Sequence, residues 1–175
     1  HDTGIGVAQY GEGIYIGSSG DPGRPLDFAV TDNQVLNNHF GPNVRAEGVD
    51  VKEGADRTII RGNFFDGTGS EFGPGTGSLV EIIANDVIVD SNFFQFGDIN
   101  AVSFVRPVTR TMSGNIMTRN QIDLRDNWQA QRGTSIPYGF QFQFGTTAPV
   151  PGALIACNNV MITGLLSDLP CTVYP

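Results

Sequence analysis

The stretch Glu47-Gly-Val-Asp-Val-Lys-Glu-Gly-Ala-Asp-Arg-Thr-Ile-Ile-Arg-Gly-Asn-Phe-Phe-Asp-Gly67 holds a short alternating strand, a glycine turn and a second strand ending in Gly62-Asn-Phe-Phe65. In Gly48-Val-Asp-Val-Lys52 apolar and polar side chains alternate, the period of a strand with one buried face. The rest of the chain repeats this unit. The pattern apolar-x-x-Asn-x-apolar recurs as Val30-Thr-Asp-Asn33-Gln-Val35, Ile60-Arg-Gly-Asn63-Phe-Phe65, Val89-Asp-Ser-Asn92-Phe-Phe94, Met112-Ser-Gly-Asn115-Ile-Met117 and Ala156-Cys-Asn-Asn159-Val-Met161. Between these lie Gly13-Ile-Tyr-Ile-Gly17, Leu79-Val-Glu-Ile-Ile83, Ala101-Val-Ser-Phe-Val105 and Gly139-Phe-Gln-Phe-Gln143, each alternating like Gly48 to Lys52.

Short strands that return to the same register on every circuit predict an all-β, right-handed parallel β-helix, a solenoid of about five coils stacked at the inter-strand spacing of about 4.8 Å. Equivalent residues then form ladders along the axis. Ile16, Val51, Ile82, Phe104 and Phe142 are expected to stack inside, as are Val35, Phe65, Phe94, Met117 and Met161. Asn33, Asn63, Asn92, Asn115 and Asn159 are expected at a bend, each amide bonding its neighbour in the next coil. Irregular stretches 17–25, 67–77 and 119–137 map to a side wall, where solenoids place binding clefts.

Composition agrees. The 175 residues suit one domain, taken here as 1–175, with 23 glycines and only 16% charged residues. No run of 18 apolar residues is present, so no membrane-spanning helix is expected. A net charge of −8 argues against nucleic acid as partner, because a phosphate backbone needs a basic face. An acidic polysaccharide remains compatible if a local basic patch or a bridging cation meets it. Cys157 and Cys171 are expected to form a disulfide that pins a C-terminal cap and stabilises it by about 3 kcal/mol on the chain-entropy model. Such a bridge implies an oxidising, extracellular location; two buried thiols are the alternative. The chain starts at His1 without Met, as a mature form or the C-terminal part of something longer would. The strand pattern near the N-terminus suggests further coils upstream or a partner over that edge.

In the alternating strands the middle residue points outward, giving a row Tyr15, Asp50, Glu81, Ser103, Gln141 and a second row Glu12, Glu47, Ser78, Asn100, Tyr138. Glu12, Glu47, Asp50 and Glu81 therefore share one face. Carboxylates that close raise one another's pKa or attract a hard cation such as calcium, and Glu47, Asp50 and Glu81 are the expected ligand set. Lys52 stands at the edge of this patch as the candidate base for elimination from a uronate. Acidic neighbours, however, push a lysine away from the free amine a base requires. The same carboxylates could instead serve as the acid and base pair of a glycoside hydrolase, or form a solvated face of a non-catalytic β-helix that binds glycan or is structural. Arg61 and Arg106 are candidates for the acid or for holding a carboxylate, and Tyr15, Trp128 and Tyr138 for stacking on sugar rings. His1 and His39 are the two histidines, and nothing in the sequence brings them together.

At its Asn-centred repeats the chain resembles secreted right-handed parallel β-helix proteins of the pectate-lyase-like superfold. Within it, Glu47 and Lys52 followed by Gly62-Asn-Phe-Phe65 resemble the family of alginate lyases and chondroitinase B. The resemblance implies calcium held by the strand glutamate, Lys52 as catalytic base, and an arginine of the next coil as acid. The register of that arginine falls at Glu81 or Ile82, so this chain departs from the family there.

Overall fold

The structure, a computed structural model, describes residues 11–18, 29–70, 78–95, 100–105, 111–123 and 154–162 with their side chains, and 138–143, 163 and 172–174 through the backbone. The described strands form three parallel sheets wound as a β-helix of five coils. The first sheet consists of β1 (Ile14–Ile16), β4 (Val49–Val51), β7 (Ser78–Ile82), β10 (Asn100–Val105) and β13 (Tyr138–Gln143). The second stacks β2 (Gln34–Leu36), β5 (Ile59–Arg61), β8 (Ile88–Asp90), β11 (Asn115–Thr118) and β14 (Leu154–Cys157). The third stacks β3 (His39–Phe40), β6 (Phe64–Asp66), β9 (Phe93–Gln95), β12 (Gln121–Asp123) and β15 (Val160–Thr163). A last strand, β16 (Thr172–Tyr174), turns back and pairs antiparallel with β14, covering an edge that would otherwise offer unpaired backbone groups.

The first-sheet rows fall where the alternation places them. Tyr15, Asp50, Glu81, Ser103 and Gln141 lie in one register, and Ile16, Val51, Ile82, Phe104 and Phe142 in the next. The other inner ladder is two ladders, and its expected membership is corrected. Val35 continues through Ile60, Val89, Met117 and Ala156 on the second sheet. Phe40, Phe65, Phe94, Ile122 and Met161 stack on the third. Successive rings of Phe40, Phe65 and Phe94 lie 4.8 Å apart and nearly parallel. These stacks explain the glycines opposite them: a Cβ on Gly48 would stand 2.8 Å from the Phe65 ring, which leaves no room for alanine.

The asparagine ladder is also corrected. It runs through Asn38, Asn63, Asn92, Asn120 and Asn159, and excludes Asn33 and Asn115. From Asn63 onward each carboxamide oxygen accepts both the backbone N–H and the side-chain amide of the asparagine one coil back, as Asn92 does from Asn63 at 2.9 and 3.0 Å. Each amide also donates to a backbone carbonyl, Asn63 to Val35, Asn92 to Ile60, Asn120 to Val89 and Asn159 to Met117. The residue before each asparagine, Asn37, Gly62, Ser91, Arg119 or Asn158, has left-handed φ between 53° and 66°. A second corner repeats the device with Asp32, Arg57, Asp86 and Gly114 at positive φ before Asn33, Thr58, Val87 and Asn115. Two corners with one local grammar explain why a sequence pattern merges them. At the second, Asn33 donates its amide to the Val30 carbonyl at 3.2 Å and to Thr58 Oγ1 at 3.3 Å, whereas Asn115 uses only its oxygen, on the Val87 N–H, and its amide nitrogen has no partner.

Candidate functional site

The site is built on the outer face of the first three coils. The bends Gly11 to Gly13 and Glu47-Gly48 lead into β1 and β4, and the Gly13 N–H donates to the Glu47 carbonyl at 2.9 Å, so Glu12 and Glu47 come to adjacent coils. Asp50, in the middle of β4, faces Tyr15 on one side and Glu81 on the other. Lys52 extends over this face from the strand's end. Its Nζ lies 2.7 Å from Asp50 Oδ2, 2.9 Å from Glu81 Oε1 and 5.5 Å from the centre of the Tyr15 ring.

The carboxylates divide into two groups. Glu12, Glu47 and Asp50 each offer an oxygen, all within 4.8 Å of one another, while Glu81 is engaged by Lys52. The ligand trio therefore differs from the expected set, with Glu12 taking the place of Glu81. Asp50 is buried, its Oδ2 holds Lys52, and its Oδ1 has no hydrogen-bond partner. Burial raises Glu47 to about 7, with the charges of Glu81 and then Glu12 adding to the rise against the pull of Lys52. Burial also pushes Asp50 up, although Lys52 opposes it. Lys52 is pulled down by burial but lifted further by Asp50 and Glu81, and it ends well above its ordinary value.

Three carboxylates with clustered oxygens, among them Asp50 with a buried oxygen that has no partner, fit a hard cation of the calcium type. Among the described residues the cation that acts on both Glu47 and Asp50 is Lys52, one positive charge beside three carboxylates. The expected calcium chemistry thus has residues that suit it, and Glu12, Glu47 and Asp50 are those that would hold the ion.

The other candidates are distributed elsewhere. Arg61 stands on β5 in the second sheet with its Nε 2.8 Å from Asp90 Oδ2, so it is not part of the Lys52 cluster. No strand of the first sheet carries an arginine. Tyr15 is 45% exposed beside Lys52, as a ring that meets sugar must be. Tyr138 opens β13 in register with Asn100, but its side chain lies outside the described residues, as do Trp128, Arg106 and His1. Cys157 ends β14, and its expected bridge lies outside them too, because Cys171 does. His39 lies on the third sheet, edge-on to Phe64 with ring centres 4.6 Å apart. Asp90 and Arg119 were given no role by the sequence, although both flank the Asn92 and Asn120 corners.

Among solved structures the chain is similar to the crystal structure of an alginate lyase from Paenibacillus sp. str. FPU-7, with a TM-score of 0.75 and 24% identity over 92% of this chain. What the two share is the fold. The chain spans about half of that protein, 51% of its length. No protein-family model and no curated protein matches it.

Proposed function

We propose that the protein acts on an acidic, uronate-bearing polysaccharide outside the cell, as a cation-assisted lyase working by β-elimination. The observation that carries this reading is one arrangement: Lys52 Nζ bonded to two carboxylates, next to a carboxylate trio with an unpartnered buried oxygen. The fold shared with an alginate lyase supports it.

A cation bound by Glu12, Glu47 and Asp50 would supply charge that neutralises a sugar carboxylate and acidifies the adjacent C–H. Lys52 is the group placed to take that proton, and Tyr15 presents a ring and a hydroxyl beside it. The C–H electron pair becomes the new double bond. The glycosidic C–O bond breaks with its pair on oxygen, which takes a proton from the Tyr15 hydroxyl or from water. Lys52 can act as base only when its ion pairs with Asp50 and Glu81 loosen, since as they stand they hold it as the ammonium. That same fact favours the second reading, a β-helix that binds the polymer without cleaving it.

Incubation with alginate, polygalacturonate or chondroitin plus calcium, followed by ultraviolet absorbance of the unsaturated product, separates the two. A rise that disappears in Lys52→Ala is expected. Binding without any rise on these polymers would leave the non-catalytic reading.

A further inference from the structure

We propose that the outer face of the second sheet carries a separate anion site, formed by Arg61 and Arg119 around Asp90, that takes a carboxylate of the acidic polysaccharide. The ligand class rests on the function proposed above; the site itself rests on its own geometry. Asp90, at the end of β8, is 1% exposed and is the sole carboxylate on the strands of that sheet. Arg61 comes to it from the preceding coil and Arg119 from the following one. Both guanidiniums bond the same oxygen, Oδ2, through Arg61 Nε at 2.8 Å and Arg119 Nη2 at 2.7 Å, while Ser91 Oγ donates to Oδ1 at 3.0 Å.

One arginine would balance this carboxylate. The second is surplus, so the cluster carries net positive charge in a chain of net −8. A guanidinium has five N–H donors in a planar fork suited to carboxylates. Among the described residues Arg61 uses only Nε, and Arg119 uses Nη2 and, at 3.4 Å, Nε on Ser91 Oγ. The remaining donors belong to side chains that are 49% and 62% exposed. Next to them Ile59, Ile88 and Ile116 lie in register on neighbouring strands, half-buried, as an apolar strip against which the C–H face of a sugar can rest.

The test is native electrophoresis through gels containing polygalacturonate or neutral dextran, in EDTA, so that the first-sheet carboxylates have no cation through which to hold the polymer. Wild-type protein is expected to be retarded by polygalacturonate and not by dextran, with retardation fading as salt rises. R61Q/R119Q is expected to bind about tenfold more weakly, as loss of charge-assisted hydrogen bonds predicts. Should that variant fail to fold because Asp90 loses its partners, R61Q/D90N/R119Q carries the same expectation. Equal retardation of variant and wild type overturns the arginine site and leaves the proposed function standing. Retardation that appears only with calcium does the same. No retardation and no unsaturated product under either condition overturns both.

Discussion

The first and second sheets present outer faces made by one device and opposite in sign. On the first, Lys52 holds Asp50 and Glu81 beside the carboxylate trio of Glu12, Glu47 and Asp50; on the second, Arg61 and Arg119 hold Asp90. In both, residues far apart in sequence meet because outward positions of successive coils lie in register, about 4.8 Å apart. The electrostatic outcome differs. Burial and neighbouring acids push Glu47 up, so the fold disfavours its charge, whereas Asp90 overcomes its burial through Arg119, Ser91 and Arg61 and is held below its usual range. Among the described residues the first cluster holds more carboxylates than cations and the second more cations than carboxylates. On the readings proposed above, an anionic polymer would need a bridging cation on the first and none on the second.

The largest expected effect bears on whether the acidic face does chemistry. If it does, Lys52→Ala loses turnover by about 10²- to 10⁴-fold, the usual contribution of a positioned general base. A loss confined to binding, with the residual rate unchanged, would make the two faces alike as binding surfaces. Chelation is the companion experiment: EDTA should stop product formation and calcium restore it, and turnover indifferent to EDTA would remove the cation from the account.

Neutralising one carboxylate on each face should move stability in opposite directions. Asp90→Asn leaves two guanidiniums without their anion and is expected to cost about 1 to 2 kcal/mol, at the lower end because both arginines are half-exposed and screened. Glu47→Gln removes a charge the fold disfavours and should raise the melting temperature in EDTA. The sign should reverse in calcium, because saturating ligand stabilises the wild type by about 2.7 kcal/mol at 100 times Kd and the variant has lost a ligand oxygen. Differential scanning fluorimetry with and without calcium reads both. Equal shifts for the two variants would show that the contrast in sign has no energetic weight.

How much of this the sequence discloses follows from what each feature depends on. The first-sheet rows were legible because alternation fixes which side chains face outward, and the rows of Asp50 and Asp50's neighbours need only one strand per coil to be recognised. The asparagine ladder was legible in kind and misregistered in two members. Val30 to Val35 and Val35 to Phe40 both satisfy apolar-x-x-Asn-x-apolar, and only the coil path decides which joins Ile60 to Phe65. The intervals along the true ladder, 25, 29, 28 and 39 residues, depend on loop lengths that leave no local mark. The cluster at Asp90 was missed for the same reason: Arg61 and Arg119 meet it from 29 residues away on either side. Glu12 was placed on the right face, but its partnership with Glu47 and Asp50 depends on Lys52 turning toward Glu81.

The smallest expected effect is a pH dependence, and its sign tests the contrast without any mutation. A carboxyl whose folded pKa lies above its unfolded value is better tolerated protonated. Glu47, at about 7 in the folded chain, therefore costs stability progressively as pH rises from its ordinary value near 4.5 through 7. Asp50 lies beside it, Glu81 and Glu12 add to the rise, and a backbone hydrogen bond and Lys52 oppose it. On the second face the fold favours Asp90 ionised, and at the neighbouring corner Asp32 is held down to about 2 by Arg57, so neither titrates in this window. Metal-free protein should accordingly melt higher at pH 5 than at pH 8, by a few degrees. Calcium should flatten or invert the trend, because binding requires the carboxylates deprotonated. A melting temperature that falls between pH 8 and pH 5 in EDTA would mean that the acidic face is already compensated by the protein itself, and its claim to a cation would fail while the arginine face stood unaffected.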